Sequence, residues 1–248
     1  SIAYTIHLVY FKKHKEISMQ EKELSVERKI YNAKQKFLTG VYGWMAIALA
    51  ISAFTAYYTS TNLSLIRMLY SGMGYLALII GEIALVWWLS ASIRKISLQT
   101  AIFGFLAYSV LNGLNLAAVF LVYTGTSIAS VFVTAAAMFA LMSLYGLTTK
   151  SNLNSAGKYL MMALLGVIIA SFLNMFLRSD GMGWLISVAT VVIFTGLTAY
   201  DSQKMLAFSR YADGSEMSKK ASIIGALELY LDFINMFLAL LRLFGRRK

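Results

Sequence analysis

Residues 222–244 read SIIGALELYLDFINMFLALLRLF. As a helix, these 23 residues extend about 35 Å at 1.5 Å per residue, enough to cross a hydrocarbon core of about 30 Å. After Ser222 the run is apolar except for four side chains, Glu228, Asp232, Asn235 and Arg242, and the Tyr230 hydroxyl. Glu228 and Asp232 stand four residues apart, so a helix stacks them on one face. A carboxylate at the centre of a bilayer costs roughly 2.5–3.5 kcal/mol on insertion scales. Two on one helix require a physical reason.

The rest of the chain is of the same kind. Its 248 residues are 59% hydrophobic and only 13% charged, against about 25% charged in soluble domains. The composition is that of a polytopic membrane protein forming one bundle, with no interdomain linker. Cysteine is absent, which excludes disulfides, thiol nucleophiles and zinc–thiolate sites. Proline is absent as well, so continuous helices are expected, with glycine supplying any bends. The net charge of +11 does not indicate a nucleic-acid partner, because the basic residues cluster at the ends of apolar segments and form no face for a duplex.

Seven apolar segments fall at about 38–58, 68–91, 99–122, 127–147, 157–177, 182–206 and 222–244. The expected fold is all-α: a seven-helix transmembrane domain over 38–245, preceded by a charged tail over 1–37. The apolar part of residues 1–18 precedes its charges, the wrong order for a signal peptide. Met19 offers an alternative start, which would make residues 1–18 non-native. Tyr57, Tyr58, Trp87, Trp88, Tyr123 and Trp184 lie near segment boundaries, where interfacial belts form. The tail carries eight Lys and Arg, and loops 2–3, 4–5 and 6–7 carry two, two and four; the alternate loops carry one, none and one. Sixteen against two puts the N-terminus on the cytoplasmic side. Arg242, Arg246, Arg247 and Lys248 break that pattern, so the last segment either spans despite them or re-enters.

Four of the eleven acids lie within apolar segments: Glu82, Asp201, Glu228 and Asp232. Segments 6 and 7 follow one another and are expected to pair antiparallel. Counted from their shared loop, Asp201 lies about 8 residues in and Asp232 about 12, or ~12 and ~18 Å. Boundary errors of a few residues make the two level, and they can meet. Carboxyls in contact away from water do not both ionise cheaply; they share a proton and titrate as a unit. Fully ionised, the pair offers oxygens to a divalent cation such as calcium, with Asn235, backbone carbonyls or water completing the six to eight ligands. Protons and calcium then compete for one site.

Each residue has a plainer alternative. Asp201 can pair with Lys204, Asp232 can make a structural interhelical bond, Glu228 can face a wet cavity, and Glu82 can be a buried packing acid. Arg94 and Lys95 fit the role of orientation charges, with Arg94 also able to latch a carboxylate. Asn112, Asn115 and Asn174 are read as interhelical hydrogen-bonding groups, and the glycines of GVYGWMAIALA and GYLALIIGEIA as points of close helix approach. His7 and His14 lie in the tail, so no histidine-based catalytic or metal motif forms in the membrane.

Two stretches, GVYGWMAIALAISAFTAYY near the start and TAYDSQKM…GALELYLDFINMFLALLRLFG at the end, resemble the Bax inhibitor-1 (transmembrane Bax inhibitor motif) family. The resemblance extends over residues 37–245. It implies seven helices with the last at the bundle centre, and a pH-sensitive calcium leak gated by a di-aspartyl sensor at Asp201 and Asp232. Glu82 is similar in position to an acid in the family's calcium path, and Glu228 adds a third carboxylate. Arg94 falls within one residue of an arginine that latches the sensor in some relatives. Some bacterial members restrain a membrane-embedded AAA protease, which gives a rival role as regulator.

The sequence therefore points to a non-enzymatic membrane protein, without a resident cofactor, whose partners are the lipid bilayer, protons and calcium as the transported or bound ion. A membrane protease is the competing partner. An aspartyl intramembrane protease is disfavoured because Leu229-Tyr230-Leu231 stands where Gly-Leu-Gly would precede the second aspartate. A bacterial inner membrane is the expected location. A monomer satisfies everything read from the sequence.

Overall fold

A computed structural model describes the backbone of residues 2–248 and the side chains of residues 19–248 except Glu23. The questions raised by residues 1–18, including His7 and His14, lie outside those side chains. The chain forms α1 (Ile2–Thr61), α2 (Leu63–Tyr70), α3 (Gly72–Ser92), α4 (Leu98–Val122), α5 (Gly125–Thr148), α6 (Asn154–Leu177), α7 (Asp180–Ser209) and α8 (Glu216–Phe244). Among the described residues, seven helices are long and apolar enough to cross a membrane: α3 to α8 and the Met19–Thr61 part of α1.

The tail and the first span are one helix. Residues 24–32 are exposed, and burial begins at Phe37 and continues through Val41, Met45, Ala48, Ser52, Ala56 and Thr59. Steps of three and four residues make one inward stripe on a helix of 3.6 residues per turn.

The second apolar segment departs from the expectation of one continuous helix. It divides at Ser71, whose backbone is extended, and Gly72 and Gly74 follow, residues with weak helix propensity. Asn62 starts the short α2 by accepting from the amides of Ser64 and Leu65. A Cβ at Gly74 would overlap the carbonyl of Met68, so the tight turn needs glycine there.

Helix α8 fills the centre, packed by α1, α4, α5 and α7, with Leu229, Tyr230 and Met236 fully buried. Helix α6 is the opposite case: only Gly157 is buried, and it packs chiefly on α7. Helix α8 is unbroken, which resolves the alternative for the last segment in favour of spanning. Its basic end is tied to the α4–α5 turn. Thr124 donates its amide to Arg246 O at 3.0 Å, and Lys248 donates its amide to Val122 O at 2.9 Å. Tyr123 is therefore buried beneath Gly245 and is not an interfacial ring. Tyr57, Tyr58, Trp87 and Trp184 are exposed as a belt requires.

Of the glycines expected at close helix approaches, Gly40 is one, since a Cβ there would meet Ser222 Oγ of α8 at 3.3 Å; others lie elsewhere. Gly43 has open space around it, and Gly81 meets only Leu111 at 3.9 Å. A Cβ at Gly113 would press on Ser52 O of α1 at 2.7 Å, and one at Gly146 would overlap Ala199 O of α7. Gly146→Ala should therefore destabilise the bundle by about 1–3 kcal/mol. Gly166→Ala, in open space on α6, should stabilise it by roughly 0.5–1 kcal/mol. Thermal unfolding of the two variants in one detergent checks the opposite signs.

Candidate functional site

Helices α7 and α8 leave their connecting loop antiparallel, and their polar residues come into register. Lys204 Nζ on α7 meets Glu228 on α8, donating to Oε2 at 2.8 Å and Oε1 at 3.0 Å. One turn further from the loop on each helix, Asp201 and Asp232 bring their carboxyls within hydrogen-bonding reach of each other. Lys204 also stands 4.0 Å from Asp201. Asp232 is 4% exposed, and its Oδ2 is buried with no donor among the described residues. A buried acceptor facing another carboxyl is satisfied by one proton between them.

The pair lines a cavity of about 660 Å³ between α6, α7 and α8. The cavity runs along α8 from Glu228 to Arg242, about 21 Å of helix, because α6 stands off from α8. Asn235 lines it one turn beyond Asp232 and gives its amide to Leu231 O at 2.8 Å. The carboxyl pair supplies few of the six to eight oxygens calcium takes, and Glu228 is already held by Lys204. Among the described residues no group of three or more acidic or histidine side chains converges as a metal site.

Two expected participants lie elsewhere. Glu82 is on the far side of α8, where it accepts from Asn115 Nδ2 at 3.1 Å and keeps a buried, unpartnered Oε1. In that region Tyr230 donates to Asn112 at 2.9 Å and lies 2.6 Å from Ser52 Oγ. Tyr230 and Asp232 are two residues apart, about 200° around the helix, so they face opposite directions. The acids are thus split between two polar files. Arg94 makes no ion pair within 4.0 Å among the described residues. It lines a smaller cavity of about 230 Å³ that also touches Glu228, so the cation beside the aspartates is Lys204. Asn112 and Asn115 make the expected interhelical bonds, whereas Asn174 closes its own helix end by accepting from Ser179 N at 3.0 Å.

The Lys204–Glu228 pair is about one-third exposed on both sides, which limits its strength. A double-mutant cycle with Lys204→Met and Glu228→Gln should give a coupling of about 1 kcal/mol. Tyr230→Phe, which strands Asn112 Oδ1 while Ser52 keeps its bond to Ser109 O, should destabilise by roughly 1–3 kcal/mol. Thermal unfolding measures both.

The family model for "Inhibitor of apoptosis-promoting Bax1" matches residues 34–248. Inner membrane protein YbhL of Escherichia coli K12 is 46% identical over 217 residues, covering 86% of this chain and 93% of that protein. An uncharacterized protein of Borreliella burgdorferi is 44% identical over 228 residues, with 91% and 98% covered. YrjE of Lactococcus lactis is 41% identical over 219 residues, with 84% and 90% covered. With the central last helix and the seven spans, these matches establish that the chain belongs to the Bax inhibitor family.

Proposed function

We propose that this protein is a proton-gated cation leak that carries calcium across a bacterial inner membrane. The observation that carries the reading is the contact between Asp201 and Asp232 in a cavity beside the central helix. With one proton between them, the two carboxyls hold α7 against α8 and the path is shut. When that proton leaves, two like charges face each other in a poorly solvated place and repel. The helices part, and a divalent cation replaces the lost positive charge. Glu228 and Lys204 neutralise one another at one end of the cavity. The Glu82 network across α8 forms a separate polar file, outside this gate.

The sign follows from the chemistry: the protonated pair is closed, so flux rises as pH rises. Calcium uptake into proteoliposomes should increase about tenfold or more between pH 6 and pH 8, because one coupled proton is lost. Asp232→Asn should flatten the response, since an amide donates to Asp201 permanently and mimics the closed pair. A pH response unaltered by Asp232→Asn overturns the reading. The inner-membrane location draws on the printed name of the E. coli relative, and a cytoplasmic N-terminus draws on the placement of Lys and Arg.

One feature favours a second reading, regulation of a membrane protease. The helical tail before Phe37 is charged and exposes Leu24, Val26, Ile30 and Tyr31, a surface suited to a protein partner. Affinity capture from membranes should lose an AAA protease when residues 1–37 are removed if that reading holds. Calcium flux without loss of any captured protease supports the leak instead.

A further inference from the structure

At the end of the bundle opposite the α7–α8 loop, a second cavity of about 630 Å³ opens between α6, α7 and the end of α8. Three arginines line it, Arg178, Arg242 and Arg247, against one acid, Asp180. None of the three makes an ion pair within 4.0 Å among the described residues. Each is held by its backbone. Arg242 is in the last turn of α8, and Arg247 bridges to Tyr123. Arg178 adopts the left-handed conformation, φ 51°, at a helix end where glycine is the usual residue. Among the described residues it is the only non-glycine residue with positive φ. Glycine would hold that backbone without strain, and Arg178 instead places a guanidinium at the vestibule.

This basic vestibule is continuous with the cavity that holds the aspartates, because Ser171, Ile186 and Arg242 line both. Below the arginines the shared groove is walled by Leu164, Val167 and Ile168 of α6 and Leu238 of α8, side chains suited to a hydrocarbon chain. Trp184 is exposed at the vestibule rim, at the depth where tryptophan meets lipid headgroups. Arginine forks bind phosphate in bidentate fashion, and basic pockets between membrane helices take anionic headgroups.

We propose that the vestibule and groove form a site for one anionic phospholipid. Arg178, Arg242 and Arg247 hold its phosphate, and one acyl chain lies in the groove between α6 and α8. The charge complementarity and the apolar continuation select a lipid over a free anion. A chain seated in that groove shares its space with the aspartate cavity, so lipid and cation occupy the same path in turn.

The test is thermal unfolding of the delipidated full chain in detergent. Dioleoylphosphatidylglycerol should raise the midpoint by about 3 °C or more over dioleoylphosphatidylcholine at equal concentration. Arg178→Gly relieves the backbone strain, so it should leave the lipid-free midpoint equal or higher while cutting the phosphatidylglycerol increment at least in half. Arg242→Gln should cut the increment similarly. Leu164→Trp, which fills the groove, should reduce it without touching the arginines. Equal shifts from the two lipids, or an increment unchanged in Arg178→Gly and Arg242→Gln, overturn the site. An equal rise with inorganic phosphate, or a full increment in Leu164→Trp, overturns the lipid assignment.

Discussion

Helix α8 is surrounded by protein on nearly every side, yet it carries an aspartate where water is scarce. A buried carboxyl without a partner is among the costliest features a membrane helix can bear. In the bundle the acid of α7 stands beside the acid of α8, and on the reading proposed above one shared proton satisfies both. The rest follows from that contact. Helices α7 and α8 must run antiparallel in a register that also joins Lys204 to Glu228. Helix α6 must stand back so that the pair opens on a cavity.

The central helix separates two chemistries by rotation alone. On one face Tyr230 ties together Asn112 and Ser52 with neutral hydrogen bonds, which fix α8 against α1 and α4. On the other face Asp232 meets Asp201, a second carboxyl. On the reading proposed above, α7 moves on the titratable side while the fixed network keeps the packing of the core. Lys204 pairs with Glu228, the acid nearer the loop, and the proposed gate assigns the change of charge to the two aspartates.

Much of this was legible in the sequence, for a specific reason. Hydropathy gives the number and length of spans, and residue counting gives depth along each helix, so the meeting of Asp201 with Asp232 was readable from one short loop and two adjacent apolar runs. Rotation around each helix is not encoded so directly. Glu82 has the right depth but faces another side of α8, and Arg94 lies beside a neighbouring cavity while Lys204, three residues from Asp201, takes the pairing role. That lysine signal was present as an alternative for Asp201, although its partner turned out to be chiefly Glu228. The break at Ser71 escaped because segment 2 stays apolar across it, and hydropathy does not register a local change of backbone direction. Tyr123 and Asn174 differ from expectation because their neighbours, Gly245 and Ser179, belong to turns whose docking is a tertiary matter.

Carbon-13 solid-state NMR of the labelled aspartate carboxyls in bilayers, followed from pH 5 to pH 9, tests the shared proton most directly. Asp201 and Asp232 should titrate together in two coupled steps, with a cross-peak between their carboxyl carbons, and Asp201→Asn should convert Asp232 to a single step at a different pH. Independent titrations, with the Asp232 curve unmoved by Asp201→Asn, would contradict the account.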